Sequence, residues 1–331
     1  MKLASLKEGG RDGTLVVVSR DLKRMVRAAP VAATLQQALD RWEELAPRLA
    51  ETSRQLNAGS AAGVGPFDPA AAAAPLPRAY QWLDGSTFLN HMTLMRKARG
   101  AEMPPERYTD PCMYQGASDT PAGARDPILL EDEAWGGDFE AEVVIVTGDV
   151  PMGIAAAGAE RCIRLFMLAN DVSFSGLEKS ENAKGMGFLQ SKPSTAFSPV
   201  AVTPDELGPA WKDGKVHLPL LTHLNGTLFG RPNAGVEMAF NFPRLIQHAA
   251  KTRRLATGTI IGSGTVSNSA PDLGSSSIGE RRALEIVTAG AAKTRFLRFG
   301  DRVRMEMLDA GGASVFGAIE QEVVHYRPPR A

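Results

Sequence analysis

The stretch Gly137-Asp138-Phe139-Glu140-Ala141-Glu142-Val143-Val144-Ile145-Val146 decides how the chain is read. Residues 143–146 are β-branched throughout, and Gly148-Asp149 follows as a turn signal, so the segment predicts a β-strand. Side chains alternate between the two faces of a strand. Glu140 and Glu142 therefore share one face, and Phe139, Ala141 and Val143 share the other. Neighbouring carboxylates repel, and burying them uncompensated costs stability or raises a pKa. A divalent cation removes that conflict, because carboxylate oxygens can converge on Mg²⁺ or Ca²⁺. A strand with one wet face, both acids solvated, explains the same pattern.

Outward from this strand, the composition narrows the classes. At 331 residues the chain exceeds a comfortable single core, which predicts a large domain with a smaller one. Its 37 basic and 37 acidic residues cancel, leaving no electrostatic footprint for nucleic acid or an anionic membrane. The N-terminus has no apolar leader, and no apolar run approaches the ~20 residues of a spanning helix. Cys112 and Cys162 stand apart without a CxxC pair. A cytoplasmic location without structural disulfides is expected.

Residues 1 to about 30 read as β, with Leu15-Val16-Val17-Val18 as a buried run after Asp12-Gly13. Thr34-Leu35-Gln36-Gln37 opens a helix with a capping-box pattern. Leu35, Leu39, Trp42, Leu45, Leu49 and Leu56 make its apolar stripe, Pro47 is expected to kink or restart it, and Gly59 to end it. The Ala/Gly/Pro-rich stretch 58–78 predicts a connector, giving a small module over 1–75 and a larger domain over 76–331. Beyond residue 79 strands are expected to dominate. Asn225-Gly226 marks a two-residue hairpin, and Val303, Met305 and Met307 alternate into a second whose return strand is expected over 315–324. Asn241-Phe242-Pro243 opens an amphipathic helix with Leu245, Ile246 and Ala249 inward.

Several chemically capable side chains surround the central strand in sequence. Asp171 ends the apolar run Leu165 to Ala169, and Asp84 and His91 flank Gly85 to Asn90. Arg96, Lys97 and Arg99 follow His91 and make its neighbourhood suited to an anionic substrate. The other histidines, 217, 223, 248 and 325, are expected to be packed or solvated. Gly262-Ser263-Gly264-Thr265 is a tight turn whose N–H groups either hold an oxyanion or simply close the turn.

Taken together, Phe88-Leu89-Asn90-His91, Asp110 to Gly116, Asp138 to Glu142, Asn170-Asp171-Val172-Ser173, Gln190-Ser191-Lys192-Pro193 to Ser198-Pro199, Gly262 to Ser267 and Ile278-Gly279-Glu280-Arg281-Arg282 resemble the fumarylacetoacetate hydrolase family. The resemblance runs from about Ala79 to Val324 and more loosely before it. It implies an α+β, β-rich fold: a mixed β-sandwich roll with a small N-terminal α/β module, in a homodimer. It implies a divalent metal, Mg²⁺ first with Ca²⁺ or Mn²⁺ as alternatives, on Glu140, Glu142 and Asp171, with Asp84 matching a fourth carboxylate. His91 matches the histidine that activates water and Glu280 the glutamate that orients it. Lys192 matches the lysine that stabilises the oxyanion. Tyr114 and Thr265 match substrate contacts, and Arg99 falls one position from a substrate-binding arginine.

The implied reaction is hydrolysis of a carbon–carbon bond in a small anionic β-diketo acid, an acylpyruvate or fumarylacetoacetate-like compound from aromatic or amino-acid catabolism. A 2-oxo acid decarboxylase or hydratase on the same metal–enolate core is the neighbouring alternative. A weakly active metal- and ligand-binding protein is the alternative of another class. Two departures motivate it: Ser175 stands where the family pattern has arginine, and Glu178 where a hydrolase member has glutamine. Losing a guanidinium removes a bidentate carboxylate clamp.

Overall fold

The computed structural model describes residues 1–329. Three antiparallel strands come first, β1 (Lys2–Leu6), β2 (Thr14–Val18) and β3 (Arg24–Arg27), then helices α1 (Leu35–Asp40) and α2 (Trp42–Ala58). The middle of the chain forms β4 (Gln81–Ser86), α3 (Leu89–Ala98), β5 (Cys112–Gly116), β6 (Ile128–Leu130), β7 (Ala141–Thr147), β8 (Ile163–Asn170), α4 (Ser175–Lys184) and β9 (Ala201–Val202). The remainder adds β10 (Leu220–Leu224), β11 (Thr227–Gly230), α5 (Phe242–Ala249), β12 (Thr259–Gly262), α6 (Ile278–Ala289), β13 (Arg302–Met307) and β14 (Ile319–His325).

An eleven-stranded sheet runs β3-β2-β1-β9-β8-β7-β12-β4-β5, with two short strands added at its margin and against β8. The β12–β4 pairing is parallel, so the sheet is mixed. A second sheet of five strands runs β11-β10-β13-β14-β6. The architecture is a sheet-rich α+β fold with a small N-terminal module, as expected. That module is continuous with the main sheet: Lys2 and Leu3 of β1 pair with Val202 and Ala201 of β9.

The wet-face reading of the central strand fails. All seven residues of β7 are buried. Ala141, Val143 and Ile145 join one apolar cluster, and Val144 and Val146 the cluster on the opposite face. The α1–α2 stripe covers that second face, where Leu35, Leu39, Leu45, Leu49 and Leu56 pack with Trp82, Met167 and Ile260. Each fully buried leucine contributes about 1.5–3 kcal/mol through removal from water.

Thr34 caps α1 by accepting from the Gln37 N–H, as the capping box predicts. The break lies at Arg41 (φ −126°, ψ 39°), however, and α2 runs straight through Pro47. Proline there forfeits only the bond to the Glu43 carbonyl, early in the helix. Gly59 ends α2 in the left-handed conformation, as expected. The Asn225-Gly226 turn has positive φ at both residues and joins β10 to β11 with Leu224 opposite Thr227. The second hairpin also forms, but its return strand begins at Ile319, later than expected. Asn241 caps α5 by accepting from the Arg244 N–H, with Leu245 and Ile246 buried.

Three helices, α3, α4 and α6, lie where strands were expected to dominate. α3 has no side-chain cap and no fully buried residue, so its sequence carries a weak apolar stripe. α6 did carry a signal: Ser277 accepts from the Glu280 N–H in a Ser-x-x-Glu box. Among the described residues no helix is long and apolar enough to cross a membrane.

Candidate metal centre and active site

Strand register assembles the acids. On β8, Ala169 lies opposite Glu142, so the chain leaves the sheet at Asp171, beside the foot of β7. The Asp171 N–H donates to the Glu140 carbonyl at 2.9 Å. On the far side of β7, Gly262 of β12 pairs with Val144 and, in parallel, with Asp84 of β4. Gly262 is what lets carboxylates meet across β12. A Cβ there would sit 2.3 Å from Asp84 Oδ1 and 2.9 Å from Glu142 Oε2.

Asp84, Glu142 and Asp171 each place an oxygen within 4.8 Å of the others, and all three are buried. Asp171 is held by three donors: Tyr114 Oη at 2.6 Å, Lys192 Nζ at 2.7 Å and Thr195 Oγ1 at 2.7 Å. Asp84 Oδ1 accepts from the Gly264 N–H at 3.0 Å. Glu142 is different. It is fully buried, no hydroxyl, amide or ammonium of the protein donates to either of its oxygens, and its polar neighbour is the Asp84 carboxyl. Burial, with Asp84 and Asp171 adding negative charge, pushes its pKa well above the ordinary carboxylate range. Burial and Asp171 push Asp84 up to about 7. Three converging buried carboxylates, that of Glu142 without a hydroxyl, amide or ammonium donor, form an all-oxygen donor set that fits a hard divalent cation such as Mg²⁺, Mn²⁺ or Ca²⁺.

Glu140 stands beside this trio rather than within it. Its Oε1 accepts from Ser173 at 2.7 Å, and its Oε2 from Thr265 at 3.0 Å and Lys192 at 3.2 Å. Burial raises its pKa, but Lys192, His91 and Ser173 together hold it below the usual value. Lys192 thus bridges Glu140 and Asp171, and those acids keep its ammonium charged despite burial.

Opposite the acids, α3 carries His91. Its Nδ1 lies 2.9 Å from Glu280 Oε2, on the first turn of α6. Glu280 is 2 % exposed, so the pair is shielded from bulk water on that side. Burial lowers the His91 pKa, yet Glu280 outweighs it and the net shift is upward. Asp138 fixes the approach of α6, accepting from the Ile278 and Gly279 N–H groups at 2.7 Å each. Such a carboxylate complements a helix N-terminus.

A cleft of about 290 Å³ joins the two halves, lined by Asp84, Glu140, His91, Tyr114, Lys192 and Thr265 among others. Of the two readings of the 262–265 turn, an oxyanion site or a structural turn, the Gly264 N–H fits the second, since it is committed to Asp84. His248 lies beside Asp110 and His325 stacks on Phe299, and none of the four other histidines lines the cleft.

A family model for the fumarylacetoacetate hydrolase C-terminal domain matches residues 81–324, and one for fumarylacetoacetase N-terminal domain 2 matches residues 1–78. The chain belongs to the fumarylacetoacetate hydrolase family. A curated relative within it, the 2,4-didehydro-3-deoxy-L-rhamnonate hydrolase of Sphingomonas sp. (strain SKA58), is 29% identical over 160 residues, 47% of this chain and 53% of that protein. The chain thus matches about half the length of this relative. The maleylpyruvate hydrolase of Sphingobium sp. SYK-6, solved with manganese (II) ion and pyruvate, superposes with a TM-score of 0.65 at 16% identity, covering 98% of this chain and 99% of that one. The 2-hydroxyhepta-2,4-diene-1,7-dioate isomerase of Mycobacterium marinum gives 0.59 at 16% identity, covering 98% of each chain. At these identities the likeness is one of fold, and proteins named as a hydrolase and as an isomerase share it.

Against the family pattern, the departures acquire positions. Ser175 opens α4, its N–H bound to the Gly136 carbonyl at 3.0 Å. Arg281 turns away to the Phe229 carbonyl and ring. Arg99 comes within 3.7 Å of Glu178. Sequence reasoning assigned no role to Ser173, Thr195, Asp138 or Glu181. Ser173, Asp138 and Thr195 lie inside the family-like motifs; Glu181 offered no pattern, since only folding brings its partners near.

Proposed function

We propose that this protein is a divalent-metal-dependent hydrolase of the acylpyruvate type, cleaving the carbon–carbon bond between the two carbonyls of a 2,4-dioxo acid. The observation that carries this is Glu142: a fully buried carboxylate without a hydroxyl, amide or ammonium donor, converging with Asp171 and with Asp84, which lines the same cleft as His91. When bound by Asp84, Glu142 and Asp171, a divalent cation supplies Lewis-acid stabilisation for the paired oxygens of a 1,3-dicarbonyl.

The chain's own groups then divide the work. With Nδ1 donating to Glu280, the His91 tautomer leaves the Nε2 lone pair free to accept a proton. Water loses that proton to His91 and its hydroxyl bonds to the C4 carbonyl carbon. The Lys192 ammonium, anchored on Asp171 and Glu140, stands where negative charge accumulates. Collapse of the tetrahedral carbon breaks the C3–C4 bond, and the electron pair leaves as the enolate of a 2-oxo acid. The proton held by His91 returns to C3. The products are a carboxylic acid and pyruvate, and one water is consumed. Hydrolases named for maleylpyruvate and for 2,4-didehydro-3-deoxy-L-rhamnonate, among the relatives, support this class.

His91→Ala tests the reading. We expect kcat to fall by ~10²–10⁴ while the Kd for Mn²⁺ stays within about twofold, since His91 is outside the acid trio. Full activity in that variant, or its loss together with metal binding, rejects the assignment.

A further inference from the structure

We propose that the wall of the cleft formed by α4 selects a hydroxylated chain over a carboxylated one, and that Glu178 decides that selection. The proposal takes the inner end of the ligand to be the dioxo acid argued above; its own subject is the other end.

Glu178 and Asn182 stand one turn apart on α4, so they share one face, and both line the cleft. The Glu178 side chain is only 16 % exposed. Its nearest cation, Arg99, is 3.7 Å away, beyond hydrogen-bond range. Among the described residues neither Glu178 nor Asn182 makes a side-chain hydrogen bond to the protein. A half-buried carboxylate and an amide, side by side and unpartnered, make a wall of one strong acceptor with a mixed donor–acceptor. Hydroxyls satisfy both; a carboxylate satisfies neither without opposing the Glu178 charge.

The arginines of the cleft do not cancel this preference. Arg99 is the guanidinium nearest Glu178, and a carboxylate arriving there would have to share it with Glu178. Arg96 donates to the Glu102 carbonyl at 3.2 Å and so points along the rim. Arg96 and Arg107 make no ion pair among the described residues, and they are the groups that would hold an acid tail if the selection ran the other way. Burial and the nearby Glu140 charge both raise the Glu178 pKa, against Lys192, Arg99 and His91, so a second carboxylate beside it would meet a site already unfavourable for negative charge. Met92, Met95 and Phe188 close the remaining wall and suit the carbon chain between the two ends.

The experiment measures binding in a background that does not turn over: the Mn²⁺-loaded, full-length His91→Ala protein. Calorimetry compares 2,4-dioxohexanoate, its 5,6-dihydroxy derivative and a 2,4-dioxo diacid of matching length. The dihydroxy compound should bind about tenfold more tightly than the diacid. Adding Glu178→Gln should shrink that ratio to about threefold or less, with the Kd of plain 2,4-dioxohexanoate unchanged within about twofold; Glu178→Arg should reverse the order. Equal or tighter binding of the diacid by the parent protein overturns the proposal, as does an unchanged ratio in Glu178→Gln or no binding of any of the three. If the Glu178 variants fail to fold by circular dichroism, the parent's preference alone decides. Turnover of the same compounds by the wild-type protein tests the hydrolase reading separately. Preference without cleavage rejects that reading and leaves this one; cleavage without preference does the reverse.

Discussion

Glu142 is the least compensated side chain of the acid trio. A carboxylate stripped of water and of hydroxyl, amide or ammonium donors destabilises the fold that contains it, because burial without compensation costs several kcal/mol or forces protonation. The cost has a corollary that can be measured. Glu142→Gln removes the buried charge and its repulsion with Asp84 and Asp171, so in chelator the variant should melt at or above the wild-type temperature. Addition of Mn²⁺ should raise the wild-type Tm by several degrees and leave the variant unmoved, since ligand-linked stability requires the site. A variant that melts lower in chelator, or still responds fully to Mn²⁺, would show that Glu142 is not the residue the ion compensates. The sequence made Glu140 and Glu142 look equivalent, two acids on one strand face. The fold separates them by their neighbours: Ser173, Thr265 and Lys192 surround Glu140, and no hydroxyl, amide or ammonium donates to Glu142.

At the scale of elements, α4 links the two halves of the cleft. Its Glu181 accepts from the N–H groups of Leu189, Gln190 and Ser191 and from Ser191 Oγ, tying down the segment that leads into Lys192. The Ser191 hydroxyl and those N–H groups outweigh burial and lower the Glu181 pKa from its ordinary 4.5 to about 2. The sign follows. A group with a depressed folded pKa contributes stability that is fully present above its unfolded value and is lost as pH falls through the folded one. Glu181→Gln should therefore cost about 2 kcal/mol at pH 7, the scale for hydrogen bonds to a charged acceptor. The difference from wild type should close between pH 4.5 and pH 2. Urea titrations at pH 7 and pH 3 check both halves; a deficit that persists unchanged at low pH would mean Glu181 acts through packing rather than through its charge. The same scale explains which helices were legible. Thr34 and Asn241 announce α1 and α5 through caps ahead of strong apolar stripes. α3 has no cap bond and buries no residue fully, yet it carries His91 to Glu280 because it packs along α6.

Across the whole molecule, the N-terminal strands complete the catalytic sheet rather than sit beside it. β1 pairs with β9, and Leu3, Leu15 and Val17 share one apolar cluster with Trp82, Val144 and Met167. Removing residues 1–78 would open an edge of the main sheet and bare the face that α1 and α2 cover. We expect the 79–331 fragment to lack fixed tertiary packing, seen as lost near-UV circular dichroism and gained dye binding at exposed apolar surface. A cooperative, native-like fragment would show that the two parts fold independently despite the shared core.

The sequence by itself determined the central strand, the hairpins and the capped helices α1 and α5, and it displayed the acids, His91, Lys192 and Glu280 that the fold brings together. Strand alternation, β-branching, turn dipeptides and caps act within a few residues, and the motifs from Asp84 to Glu280 were visible in order. Tertiary structure alone decided their relations. Only the parallel pairing of β12 with β4 brings Asp84 to Glu142, and only Gly262 leaves room for them. Only the packed helices put Glu280 behind His91, and only the burial of Glu142 distinguishes a solvated acid from one that calls for a cation. Desolvation and close approach depend on what surrounds a group in space, and no local pattern along the chain records that.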